Sequence, residues 1–188
     1  MRLRFVWVTY ALLTLFTIGR AAAQYPAPYH QLSAREFSGQ PVYNTGDVVA
    51  MTDCNIDFNY NAHAEKNYYL LTCNIHLIFN KDRSWIDRRK ISTSAMMDEV
   101  LKHEQGHYTI VYLEQQELLR TISRTVFSAD YHREASNLFD KIHQKYEQLS
   151  QTYDTDTDHM RNKQQQHSWD EYLKKKLTYM PPEELASN

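Results

Sequence analysis

Glycine is scarce in this chain: four residues in 188, against fourteen tyrosines. That balance describes an ordered, compact chain and excludes a flexible low-complexity one. A block of like charge is missing as well. The formal net charge is −2 with no basic run, which argues against nucleic acid as the main partner. Beyond the N-terminus no stretch is long and apolar enough to cross a bilayer, so no membrane span is expected in the mature protein. Cysteine is limited to Cys54 and Cys73. The length suits one domain with a core of its own, residues 24–188, helical in its C-terminal part.

Residues 1–23 read as a secretory signal. Arg2 and Arg4 supply the charged start, Phe5 to Ile18 the apolar stretch, and Ala21-Ala22-Ala23 before Gln24 a small-residue cleavage site. A retained anchor is the alternative. The expected location is the periplasm or the extracellular space. Such a compartment permits disulfides. Cys54 and Cys73 lie in two strand-like runs, Asp47 to Tyr60 and Asn67 to Asn80, with 61–66 as the turn. A hairpin centred near residues 63–64 places the two cysteines opposite each other, so a disulfide is expected, with two buried free thiols as the alternative.

Helical periodicity takes over after Ser92-Thr93-Ser94, which offer caps. A helix is expected over residues 95–125, with Met96, Val100, His103, His107, Val111, Glu114 and Leu118 on one stripe. A second is expected from Ala129 to Thr152, then an acidic loop from Tyr153 to His159, then a helix over 162–177 stopped by Pro181-Pro182. The fold class is α+β: a small antiparallel sheet packed on the helix that bears His103 and His107, followed by further helices, in a zincin-like arrangement.

On that first helix stands His103-Glu104-Gln105-Gly106-His107, the pattern H-E-x-x-H. Residues four apart differ by about 40° around a helix, so both imidazoles point the same way and can hold one cation. Zn²⁺ suits such nitrogen ligands. Glu104 follows the first histidine and can act as general base, then acid, on a water that the ion activates. The pattern is the zinc-protease signature. Two surface histidines and a solvated glutamate are the bland reading. Gly106 speaks against it, because a mid-helix glycine costs about 1 kcal/mol relative to alanine. Close approach of another segment at that turn would explain the missing side chain.

A catalytic zinc takes a third protein ligand. Positions 110 and 113 are Ile and Leu, which excludes the metzincin continuation, and Glu114 lies about 10 Å along the axis from His107. The candidates are therefore downstream: His132, Glu134, His143, Asp154, Asp158 and His159. The first three sit on an amphipathic helix where solvated side chains are the rule. The 153–159 loop gathers an imidazole, three carboxylates and a phenol, and His159 is the preferred ligand. Asp154 or Asp158 would orient a zinc-bound imidazole, and Tyr153 or Tyr108 would donate to a developing oxyanion, core packing being the alternative.

Three blocks resemble the bacterial domain of unknown function 922 family, whose members are regarded as secreted zinc-dependent proteases. Leu32-Ser33-Ala34-Arg35-Glu36-Phe37-Ser38-Gly39-Gln40-Pro41 is similar to the family's opening W-x-D-F-x-G-x-P block, without its Trp and Asp. His103 to Tyr108 matches H-E-Q-G-H-F with Tyr for Phe. Tyr153, Asp154, Thr157, His159, Gln166 and Trp169 match Y-D-x-x-T-x-H-G followed by Q-x-x-W, with Met160 where Gly is usual. The resemblance implies a peptidase-like site acting on a peptide or protein substrate.

The expected function is zinc-dependent hydrolysis of a peptide bond outside the cytoplasm. Its rivals are a non-catalytic zinc-stabilised binding module and a zinc amidohydrolase acting on peptidoglycan. By analogy with other zinc proteases, the 67–80 strand would receive substrate as an added strand.

Overall fold

A computed structural model describes residues 28–42 and 48–179. The expected signal segment and Pro181-Pro182 lie outside them. The elements in order are β1 (Ala50–Met51), β2 (Cys54–Ala64), β3 (Tyr69–Phe79), β4 (Trp85–Ile86), α1 (Ser94–Ser123), α2 (Tyr131–Thr157) and α3 (Lys163–Tyr179). The fold class is α+β, as expected. No helix among the described residues is long and apolar enough to cross a membrane.

The β2–β3 hairpin follows a period of two. Ile56, Phe58, Tyr60 and Ala62 turn toward the core, opposite Leu77, Ile75, Cys73 and Leu71. Asn55, Asp57, Asn59, Asn61 and His63 on the other face are exposed. The expected first strand is broken at Thr52 and Asp53. There Asn80 N donates to Asp53 O (2.9 Å) and Asp53 N donates to Ser84 Oγ (2.9 Å), which turns the chain. Beyond the break β1 pairs with β4, whose Trp85 and Ile86 are buried. The segment before β1 docks on the same corner. Gly39 N donates to Ser84 O (2.9 Å), and a Cβ at Gly39 would lie 2.8 Å from that oxygen.

Helix α1 starts at Thr93, whose Oγ1 accepts from Met96 N (3.1 Å). It runs through the middle of the molecule. Ile110, Leu113, Leu118 and Ile122 meet the hairpin, α2 and α3 in one apolar cluster. Val100, Tyr108 and Tyr112 join Leu32, Phe37, Ala50 and Ile86 in a second. Burial on two sides leaves α1 without the single inward stripe that its sequence suggests; Gln105, Gln115 and Gln116 are buried too. Gln105 uses its amide to tether the N-terminal segment. Its Oε1 accepts from Leu32 N (2.7 Å), and its Nε2 donates to His30 O (3.1 Å) and Tyr29 Oη (2.8 Å).

Two expectations are corrected here. The expected acidic loop at 153–159 is mostly helix, since α2 continues to Thr157. The spacing Ile142, Tyr146, Leu149, Tyr153, Thr157 keeps one face inward. The threonines are tolerated because Thr152, Thr155 and Thr157 each donate to the carbonyl four residues earlier. The helix then stops at three successive left-handed residues, Asp158, His159 and Met160, with φ of 48°, 47° and 73°. Met160 thus occupies a backbone position that favours glycine.

The disulfide is the second correction. Both cysteines are free. Glu65 N donates to Tyr68 O (2.8 Å), so the hairpin turns about Lys66-Asn67, three residues later than expected. Cys54 therefore faces Phe79 and Cys73 faces Tyr60. The six-residue offset separates the cysteines by about 20 Å along the strands. Burial pushes the Cys54 thiol up to about 12, helped by Asp53 and Glu104, and the Cys73 thiol up to about 11. Thiolate is thus scarce in the native state near neutral pH. Titration with a disulfide reagent should find two thiols per chain after denaturation without reductant, and slow reaction before it; a protein with none would contradict this register.

Candidate metal centre

The histidines of α1 point at the last turns of α2, and three ligand atoms converge there. His103 Nε2 lies 3.1 Å from Asp154 Oδ1, His107 Nε2 lies 3.0 Å from the same oxygen, and the two nitrogens are 3.3 Å apart. An ion held tetrahedrally at about 2.0–2.1 Å from each ligand spaces the ligands about 3.3–3.4 Å apart. The observed triangle is close to one face of that tetrahedron. Among the described residues these three form the one group of side chains that could hold a metal ion.

The hydrogen bond behind His103 aims a lone pair into the triangle. Gln166 on α3 donates through Nε2 to Asp170 Oδ1 (2.9 Å) and Tyr153 Oη (2.7 Å), so its amide oxygen faces His103 Nδ1 at 3.0 Å. An amide oxygen only accepts, so Nδ1 carries the proton and Nε2 presents a lone pair to the Asp154 carboxylate. A shared cation satisfies both. On the other ring, His107 Nδ1 lies 2.9 Å from Ser150 Oγ. Burial opposes ionisation of Asp154; with no cation between them, a protonated His103 or His107 ring can donate to the carboxylate instead, which outweighs burial and holds the carboxyl well below the usual range. Burial likewise lowers the His107 value, and Asp154 and Glu104 more than reverse this.

Tyr153 sets the orientation of both rings. It is fully buried, stacks on His103 (centroids 4.7 Å apart, 16° between planes) and meets His107 edge-on at 5.0 Å. Its hydroxyl donates to His103 O (3.1 Å), over the backbone of Gly106. A Cβ on Gly106 would stand 2.3 Å from that hydroxyl. This is the close approach that the mid-helix glycine predicts.

Glu104 lies beneath β1, where Thr52 Oγ1 donates to its backbone carbonyl (3.4 Å). The residue is 3% exposed, and its buried Oε2 has no hydrogen-bond partner among the described residues. Leaving a carboxylate oxygen buried and unpaired is costly, so the position calls for a ligand or water. Glu104 and the triangle line one cavity of about 250 Å³, walled by residues 48–52, Val100, Ser150, His159 and Met160. The strand at this cavity is therefore β1, with the residues on either side of it. The expected docking strand, β3, instead pairs at Tyr69 with Phe127.

The other expected site residues fall into place around this cavity or away from it. His159 lines it but is not one of the three convergent side chains: its Nδ1 lies 3.4 Å from Asp154 Oδ1, and its side chain is 45% exposed. Asp154 therefore lies within the convergent group, and His159 beside it at the rim of the cavity. Asp158 turns outward to Arg161 (2.9 Å). Tyr153 and Tyr108 are buried in the packing and neither lines the cavity. His132 pairs with Tyr60 (2.9 Å), Glu134 with Ser128, and His143 with Glu114 (2.8 Å). Ser150 escaped sequence reasoning. A helix carried through Thr157 would have revealed it, one turn before Asp154 on the same face.

A family model described as "Bacterial protein of unknown function (DUF922)" matches residues 29–160, more than half of the chain. The chain belongs to this family. The match takes in the docked N-terminal segment, both histidines and Asp154, and ends at Met160. No match was found among curated proteins or among solved structures.

The Gly106–Tyr153 contact gives a test. Alanine in place of a helical glycine gains about 1 kcal/mol of intrinsic propensity. Overpacking against a rigid buried ring costs about 1–3 kcal/mol. Gly106→Ala should therefore destabilise the protein in chemical denaturation, and Tyr153→Phe, which removes the colliding hydroxyl, should recover part of the loss in the double variant. A Gly106→Ala protein more stable than wild type would contradict the packing.

Proposed function

We propose that the protein is a zinc-dependent peptidase that acts in the periplasm or outside the cell, after removal of residues 1–23. The observation that carries the reading is the buried, unpartnered Glu104 Oε2 in the cavity shared with the convergent His103, His107 and Asp154 atoms. Two imidazole nitrogens and one carboxylate oxygen at near-tetrahedral spacing suit Zn²⁺. Bound there, zinc would polarise the scissile carbonyl and acidify a water beside it.

The chain's own groups do the rest. Glu104 accepts the proton of the attacking water at Oε2 and passes it to the departing amine nitrogen. Asp154 would hold the cation together with His103 and His107, and its carboxylate would offset part of the ion's charge. Gln166 and Ser150 hold the far nitrogens of those rings, and Tyr153 holds their planes. His159, at the rim beside Asp154, is placed to donate to the substrate carbonyl or to support the Asp154 carboxylate. A purely structural zinc would leave the buried Glu104 oxygen without a purpose, which favours hydrolysis over a zinc-stabilised binding module. The topology around the helix, with a two-stranded hairpin beside it, is a reduced version of the zincin arrangement on this reading.

Zinc stoichiometry and turnover on a general peptide library test the assignment together. Asp154→Ala should lose bound zinc, whereas His159→Ala should keep it. Glu104→Gln should keep zinc and fold while hydrolysis falls by about two to four orders of magnitude. Gln166→Leu should weaken zinc binding by about 10–100-fold. Full activity in Glu104→Gln would overturn the mechanism, and cleavage of peptidoglycan cross-links but no protein-derived peptide would reassign the substrate.

A further inference from the structure

The cleft continues past the metal centre. A second cavity of about 180 Å³ adjoins the first along α1, with Thr52, His107 and Ser150 lining both. From Val100 to Glu114 the two cavities together span about 21 Å along the helix, the length of about six residues of extended peptide. The two ends differ in chemistry. Toward Val100 the walls are Val48, Val49, Ala50 and Met160. Toward Glu114 they include Glu147, His143 and Asn55.

Glu114 has no role in the mechanism above, yet it is a carboxyl group only 3% exposed. It lies two turns beyond His107 on the same face of α1, about 10 Å along the axis. Its Oε1 accepts from His143 Nδ1 (2.8 Å), and His143 Nε2 lies 3.5 Å from Glu147 Oε1. Apart from His107 of the metal centre, His143 is the one base lining this cavity, against the two carboxylates of Glu114 and Glu147. Burial pushes the Glu114 carboxyl up, with the His143 hydrogen bond pulling against it. A buried carboxylate with so little compensation is stabilised by an incoming cation. A lysine or arginine side chain has the reach, since its apolar stem can lie along Ile110 and Val111 while the charged head meets Glu114.

We propose that this end of the cleft is a substrate subsite that selects a cationic side chain, so that the preferred substrate is a peptide carrying Lys or Arg about two or three residues from the bond at the metal centre. Glu114 supplies the buried charge, Glu147 a second charge at the mouth, and His143 holds the Glu114 carboxylate in place. The inference rests on the peptidase reading only for the position of the scissile bond.

The test uses the zinc-loaded full chain carrying Glu104→Gln, so that bound peptide is not cleaved. Fluorescent hexapeptides are compared in pairs that differ only by Arg or Gln at one position, scanned through the sequence, with affinity read by anisotropy. One Arg position should bind about tenfold more tightly than its Gln partner. Adding Glu114→Gln should abolish that preference, and adding Glu147→Gln, at a side chain that is 59% exposed, should reduce it. In the wild-type protein the ratio of kcat/KM within each pair gives the same comparison without the Glu104 substitution. Equal affinity at every position, or a preference untouched by both glutamate substitutions, overturns the subsite. Cleavage without an Arg preference overturns the subsite and leaves the peptidase standing; an Arg preference in binding without any cleavage does the reverse.

Discussion

The distance between α1 and α2 at Gly106 governs the rest of this molecule. Because residue 106 has no side chain, the Tyr153 hydroxyl can lie on the α1 backbone, and α2 can come close enough for Asp154 to meet both imidazoles. Tyr153 also closes the apolar cluster beneath the hairpin. One contact therefore serves packing and chemistry together. The side-chain amide of Gln166 extends the arrangement to α3, so each of the three helices contributes to the position of His103.

Charge in the cleft is arranged against the ordinary preference of interiors. Glu104 and Glu114 are buried on α1 with few partners, and Asp154 is held ionised by the histidines. Such groups are seldom kept unless they meet something cationic or reactive. That the carboxylates all line adjoining cavities, while glutamines take the buried polar positions elsewhere on the helix, separates the cleft from the packing around it.

Much of this was legible in the residues, for physical reasons that also explain the failures. A turn of 100° per residue puts His103 and His107 on one face wherever the helix lies, and alternation shows which face of each strand is buried. Alternation does not fix register: any slip by an even number of residues keeps the same side chains inward. The pairing that would join Cys54 to Cys73 and the pairing observed look alike by that criterion, and the Lys66-Asn67 turn decides between them. The end of α2 was hidden by composition. Aspartates and threonines dilute the apolar signal after Leu149, though Tyr153 and Thr157 keep the spacing. Ending the helix early made His159 look like the natural ligand; carrying it to Thr157 sets Ser150 and Asp154 on the face that already carries Tyr146.

The separation of the ligands along the chain has a thermodynamic side. His107 and Asp154 are 47 positions apart, in a protein whose cysteines are unpaired. An ion bridging them would close that length of chain into a loop. By the chain-entropy argument used for disulfides, closing a loop of this size removes about 4 kcal/mol of freedom from the unfolded ensemble. The ion would then act as a reversible staple, and the cell's supply of metal would set how firmly the two helices are bound together.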